Sequence, residues 1–271
     1  MTIFHGLILG IIEGLTEFLP ISSTAHMILA SAWLKIPTPE FLKTFEISIQ
    51  LGAILAIVIL YWKKIWSSWD LIFKIGTAFI TTSIIGLIFY KIVKIYLMEN
   101  MTLIASALFI GGVLIIVWEK YYSKKQKAIQ ADLKNIPENP DNSDPISYRQ
   151  ATIIGACQAL AMIPGVSRSA ATILGGLSLG LKRKTIVEFS FLLAIPTMAA
   201  ATGLDLLKSR AGLMALSNQE IVIWLTGFIA AFLTAIIGVK FFIRFIQKND
   251  FIAFGWYRIA LGLIVFAWLF I

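Results

Sequence analysis

Apolar residues fill most of the chain in long blocks separated by short polar stretches. Six blocks are unbroken and long enough to cross a bilayer, for which roughly 20 apolar residues suffice: Thr44–Trp62, Ile72–Ile95, Thr102–Trp118, Ile186–Leu207, Glu220–Val239 and Phe251–Ile271. Two others are interrupted. Gly10–Ala32, GIIEGLTEFLPISSTAHMILASA, carries Glu13, Glu17, Ser22, Ser23, Thr24 and His26, with Pro20 in its middle. Proline removes a backbone donor and clashes with the preceding turn, so this block predicts two half-helices meeting near Leu19–Pro20. Gly155–Gly176, GACQALAMIPGVSRSAATILGG, is broken in the same way at Pro164 and Gly165, and resumes behind Ser167, Arg168 and Ser169.

A shift of 145 residues places Gly10 on Gly155, Glu13 on Gln158, Pro20 on Gly165 and Ser22 on Ser167. Interrupted apolar segments at matching positions of two halves point to an internal repeat with a site at mid-membrane depth. Chance likeness is the competing explanation. A polar residue before each break and a serine after it weigh against chance.

Composition agrees with the pattern. Mean hydropathy is +0.85, and 14% of residues are charged, against roughly a quarter in a soluble domain. The N-terminal stretch does not read as a secretory signal, because it lacks a basic start and Glu13 and Glu17 interrupt its apolar run. The single cysteine, Cys157, excludes an internal disulfide or a cysteine metal cluster. A net charge of +8 raises nucleic acid as a partner. The basic residues instead flank the apolar blocks, so the partner is a bilayer and no nucleic acid is expected.

The basic residues also set an orientation. Fifteen Lys and Arg collect on the side of the polar loop 123–148 and six on the other, leaving Arg168 and Arg258 inside segments. The positive-inside rule puts that loop in the cytoplasm. The first broken segment then enters from outside and the second from inside. The expected fold class is an all-α polytopic membrane protein with six full transmembrane helices and two broken re-entrant hairpins in an inverted-topology repeat. It is one domain over 1–271, with halves at about 1–100 and 146–245. Eight full spans remain the alternative, and fit the lysine bias less well.

Each break exposes unpaired N–H groups at the start of its second half, and such a start favours an anion. Ser22 or Ser23 is placed to cap the first, and Ser167–Ser169 stand at the second. Arg168 adds a planar fork suited to phosphate oxygens, with Thr172 on the same helix face. Glu13 and Glu17 share one face and could hold a divalent cation, Mg2+ or Ca2+, through oxygen. Cation, arginine and helix starts together would hold a diphosphate. Ser23 and His26, three apart, supply a nucleophile and a proton carrier; attack by His26 or by an activated water stays equally open. Ionisable groups at membrane depth read as functional by default, and a Glu17–Arg168 salt bridge is the structural alternative. Glu46 and Gln50 could line the same cavity. Glu188 could pair with the 182–184 cluster, and Arg258 reads as snorkelling or bundle-pairing.

EGLTEFLPISSTAH at 13–26 and PGVSRSAAT at 164–172 strongly resemble the bacterial undecaprenyl-diphosphate phosphatases of the bacitracin-resistance type, as do FEISIQLGAILAI at 45–57 and EFSFLLAIP at 188–196. The likeness covers essentially the whole chain. It implies an integral hydrolase of the bacterial plasma membrane that cleaves undecaprenyl diphosphate to undecaprenyl phosphate and inorganic phosphate. It also implies a divalent cation requirement, an active site open to the outer side and dimers. A lipid-phosphate transporter or flippase using the same site, or a non-catalytic lipid-phosphate binder, are the other classes; the Ser23–His26 pair favours chemistry.

Overall fold

The computed structural model describes residues 1–36, 39–96, 100–132, 146–209 and 216–269. Among the described residues all regular structure is helical. Ten α-helices follow in order: α1 (Ile3–Thr16), α2 (Ser23–Trp33), α3 (Pro39–Ile65), α4 (Trp69–Tyr96), α5 (Met101–Asp132), α6 (Tyr148–Ala159), α7 (Arg168–Ser178), α8 (Arg183–Lys208), α9 (Asn218–Ile246) and α10 (Ile252–Leu269). A 3₁₀ turn, Leu160–Met162, prolongs α6.

Six helices, namely α3, α4, α5, α8, α9 and α10, are long and apolar enough to cross a membrane. They coincide with the six unbroken blocks, and the chain is a multi-pass membrane protein. α8 runs through Pro196 without ending. α5 continues to Asp132, so the polar stretch expected to be loop from Ser123 begins as helix. Half of that stretch, 133–145, lies outside the described residues, as do Arg210 and parts of the connections 35–40 and 96–101.

The 145-residue offset recurs in the backbone. α1 and α6 start 145 apart, and so do α2 and α7. Capping boxes open both α1 and α6: Thr2 pairs with His5, and Ser147 with Gln150. The positive-φ residues Ser22 and Lys35 have counterparts at Ser167 and Gly180. Packing follows the same exchange. α1 lies against α9 and α6 against α4, while α3 packs on α8 and α5 on α10. Gly6, Gly10 and Gly14 form a small-residue stripe that lets α1 approach α9 closely. A Cβ on Gly10 would stand 2.3 Å from the Gly227 carbonyl oxygen, and one on Gly155 would stand 2.3 Å from that of Ala78.

The most enclosed spans are α8 and α3; α4 is the most exposed. Between them the buried Phe18, on the first break, meets Phe191 of α8 edge-on at 5.3 Å between centroids. That contact anchors an irregular segment inside the bundle. Irregular backbone within a membrane bundle needs protein around it, because lipid offers no hydrogen bonds.

Candidate functional site

α1 ends at Thr16 and α2 begins at Ser23; α6 ends at Ala159 and α7 begins at Arg168. The six- and eight-residue gaps between them are the breaks, and they meet. Arg168 Nη2 donates to Glu17 Oε1 at 3.1 Å, and Ser169 Oγ donates to the Leu19 carbonyl at 2.7 Å. A cavity of about 120 Å³ opens where they join. Glu17, Ser22, Ser23 and Thr24 line it from the first break, and Pro164, Gly165, Ser167 and Arg168 from the second. Gln50 of α3 and Met198 of α8 complete the wall. Pockets that bury a whole small ligand run to roughly 300–1,000 Å³. This one suits a headgroup, not a long hydrocarbon tail.

Glu17 is the hub. Its second oxygen, Oε2, accepts the Ser23 hydroxyl at 2.5 Å. One carboxylate therefore holds a potential nucleophile and a guanidinium at once. Arg168 is further fixed by donation from Nη1 to the Ser190 carbonyl at 3.0 Å, and its guanidinium lies 5.5 Å from the Phe18 ring centroid. Its Nε is buried with no hydrogen-bond partner. A buried N–H without an acceptor is costly, and a phosphate oxygen in the cavity would supply one. Ser22 and Ser167, the residues just before α2 and α7, both take positive φ, 69° and 74°. The free N–H groups of two helix starts thus border one small space.

Several expected residues lie outside the lining. Glu13 is buried one turn behind Glu17, and neither of its carboxylate oxygens has a hydrogen-bond partner. A cation would satisfy that orphaned acid. Among the described residues there is no group of three or more His, Cys, Asp or Glu suited to a metal. Glu13 and Glu17 are the carboxylates that could hold a cation, which would complete its shell from substrate and water. Ser169 is fully buried and spends its hydroxyl on Leu19. Thr172 is fully buried against Ser190 Oγ at 2.6 Å and donates to the carbonyls of Arg168 and Ser169. Both brace the break and do not face the cavity. Glu46 accepts from Ser31 at 2.7 Å, away from the pocket that Gln50 lines.

Two expected contacts are not made. The Ser23 hydroxyl goes to Glu17, not to His26. His26 Nδ1 contacts the Ser22 carbonyl at 2.7 Å and Nε2 contacts the Tyr257 hydroxyl at 2.7 Å. Ser22 precedes α2 but makes no side-chain cap, whereas Ser167 Oγ accepts from the Ala170 amide at 3.3 Å. Glu188 pairs with Lys64, and Arg183 of the 182–184 cluster pairs with the buried Glu119.

Of the two readings of Arg258, pairing within the bundle holds and snorkelling does not. It is fully buried, so it does not snorkel. Nη1 donates to the carbonyls of Pro20 and Val166, and Nη2 to those of Gly165 and Ala107. One guanidinium thereby satisfies carbonyls freed by both breaks. Its signal was present as a charge inside a span, together with Gly111 of α5, where a Cβ would stand 2.3 Å from Arg258 Nη2. Ser190 and Tyr257 carried no such signal.

Comparison with known sequences agrees in one direction. The profile of the family described as bacitracin resistance protein BacA matches residues 6–264. The chain is similar to an undecaprenyl-diphosphatase of Wolinella succinogenes, 47% identical over 97% of both chains. It is similar to another of Sulfurihydrogenibium, 47% identical over 99% of this chain and 100% of the relative. A third, of Aquifex aeolicus, is 45% identical over 97% of both.

Proposed function

The chain belongs to the bacitracin resistance protein BacA family, and on that premise we propose that it hydrolyses undecaprenyl diphosphate to undecaprenyl phosphate and inorganic phosphate at the pocket between its two breaks. The observation that carries this reading is Glu17, whose two oxygens hold the Ser23 hydroxyl and the Arg168 guanidinium. A carrier or a passive binder needs charge and a cavity, but it has no use for a hydroxyl hydrogen-bonded to a buried carboxylate.

Ser23 Oγ attacks the terminal phosphorus while its proton passes to Glu17 Oε2. The bond from phosphorus to the bridging oxygen breaks, and undecaprenyl phosphate leaves. Glu17 gives that proton to the departing undecaprenyl phosphate; water then attacks the phosphoserine, Glu17 takes the water's proton and hands it to Ser23 Oγ, and inorganic phosphate departs from the restored serine. Arg168 and the helix starts at Ser23 and Arg168 hold the equatorial oxygens, where charge accumulates in the transition state. Glu13 and Glu17 would hold the divalent cation, which when bound offsets phosphate charge and makes phosphorus more electrophilic.

The acid and the nucleophile come from the first break, and the guanidinium from the second. At the positions 145 further on, Glu17 becomes Met162 and His26 becomes Ala171. The basic-residue asymmetry supports the first break entering from the outer face of the bacterial plasma membrane, which would open the pocket to that side. The cavity takes the diphosphate, and the isoprenoid tail lies among the apolar helices.

Purified protein in detergent, without any gradient, is expected to release inorganic phosphate from a long-chain isoprenyl diphosphate. Binding without release would favour a carrier.

A further inference from the structure

We propose that His26 serves this reaction as a positioning residue: its Nδ1–H holds Ser22 in a left-handed conformation, and Tyr257 fixes the tautomer that allows it. The proposal rests on the hydrolytic reading of the pocket and assigns within it a role different from proton transfer.

Ser22 carries backbone strain. It has φ 69° and ψ 89°, a region that residues with a side chain visit reluctantly. Its counterpart in the other break, Ser167 at φ 74°, is held by its own hydroxyl, which accepts from the Ala170 amide and meets Ser169 Oγ at 3.1 Å. Ser22 has no such cap. Its carbonyl accepts the ordinary helical bond from the His26 amide at 3.3 Å, as that of Ser167 does from Ala171 at 3.1 Å, and in addition contacts His26 Nδ1 at 2.7 Å. The position matching His26 in the second half is Ala171. Each break thus has one device for its left-handed serine, and His26 is the device of the first.

The tautomer follows from the partners. A carbonyl oxygen only accepts, so Nδ1 carries hydrogen. In the neutral ring Nε2 then accepts, and the Tyr257 hydroxyl, 2.7 Å away, is its donor. The His26 and Tyr257 rings are parallel to within 2°, with centroids 5.6 Å apart. Both ring nitrogens are spoken for. The ring is absent from the cavity lining, and the Ser23 proton already has an acceptor in Glu17. What the ring controls is Ser22, the residue that aims Ser23 and the first amides of α2 at the cavity.

Side-chain amides separate this role from proton transfer. Asparagine places an N–H where Nδ1–H stands; glutamine places its amide nitrogen where Nε2 stands. His26→Asn is expected to keep phosphate release within about tenfold of wild type, while His26→Gln and His26→Ala lose roughly 10- to 100-fold more. Tyr257→Phe is expected to lose severalfold. Equal, near-complete loss in the Asn and Gln variants would overturn the proposal and return His26 to acid–base work. A double-mutant cycle covers the case in which a single variant folds poorly. Glycine adopts positive φ freely, so in a Ser22→Gly background His26→Ala should cost at most about threefold, in activity and in thermal persistence alike. An undiminished cost there would also overturn it. Failure of the hydrolytic reading is recognisable separately, as no phosphate release by wild type.

Discussion

Glu17 and Arg168 stand 151 residues apart in sequence and 3.1 Å apart in space. The pair closes the contact between the two breaks, and each partner is almost entirely buried. A buried ion pair is weak support for stability, since desolvation offsets attraction, but removing one partner strands the other. The pair therefore makes separate demands on fold and chemistry.

Arg168→Ala is expected to lower phosphate release by about 10²- to 10³-fold and to destabilise the detergent-solubilised protein by roughly 3–5 kcal/mol. Arg168→Lys keeps the charge but not the planar fork that reaches Glu17 and Ser190 together, so its activity should still fall at least about tenfold. Steady-state phosphate release and thermal unfolding of the purified variants measure both. Activity of Arg168→Lys equal to wild type would show that only charge matters there.

Arg258 carries the stability of the breaks. Each freed buried carbonyl costs roughly 1–3 kcal/mol, and Arg258→Leu would free those of Pro20, Val166, Gly165 and Ala107. A fall of several kcal/mol is expected, with faster proteolysis at the breaks. Gly111→Ala, which presses a methyl onto the guanidinium, should reproduce part of that effect while keeping the charge. Wild-type stability in both variants would contradict the role.

The glycine contacts predict a matched pair of defects. Gly10→Leu and Gly155→Leu each drive a side chain into the backbone of a facing helix, α9 and α4 respectively. Overpacking of this kind costs typically 1–3 kcal/mol, more where backbone must move. Gly203, whose Cβ would meet nothing within 4 Å, is the control: Gly203→Ala should be neutral or stabilising. Melting temperatures of the three variants make the comparison.

Chelation should abolish phosphate release, and added Mg2+ should restore it. Because both Glu13 oxygens lack a protein partner, Glu13→Gln is expected to raise the half-saturating cation concentration at least about tenfold. The same substitution should stabilise the cation-free protein, since it removes an uncompensated buried acid. Thermal shift with and without cation reads that second effect independently of turnover.

Much of this arrangement was legible in the chain. Six apolar blocks gave the spans because lipid demands length and hydropathy and little else. Pro20 and Pro164 gave the breaks, because proline cannot continue a helix unaided. The matching breaks also brought Glu17, Ser23 and Arg168 to one site. What stayed hidden were choices among neighbours. Ser23 had both Glu17 and His26 within reach, and only the path of the break from Phe18 to Ser22 decides between them. Ser169 and Thr172 had the same composition as cavity residues, yet they face α8 and the opposite break. Arg258 was read by itself, without the four carbonyls that surround it. The capping boxes at Thr2 and Ser147 were within reach and extend the 145-residue offset to the N-caps of α1 and α6.

The most direct measurement is a rapid-quench reaction with isoprenyl diphosphate labelled in its terminal phosphate. The account predicts transient label on wild-type protein, located at Ser23 by peptide mapping, lost in Ser23→Ala and diminished in Glu17→Gln. Phosphate released at the wild-type rate with no protein-bound label at any time, or by Ser23→Ala itself, would contradict it.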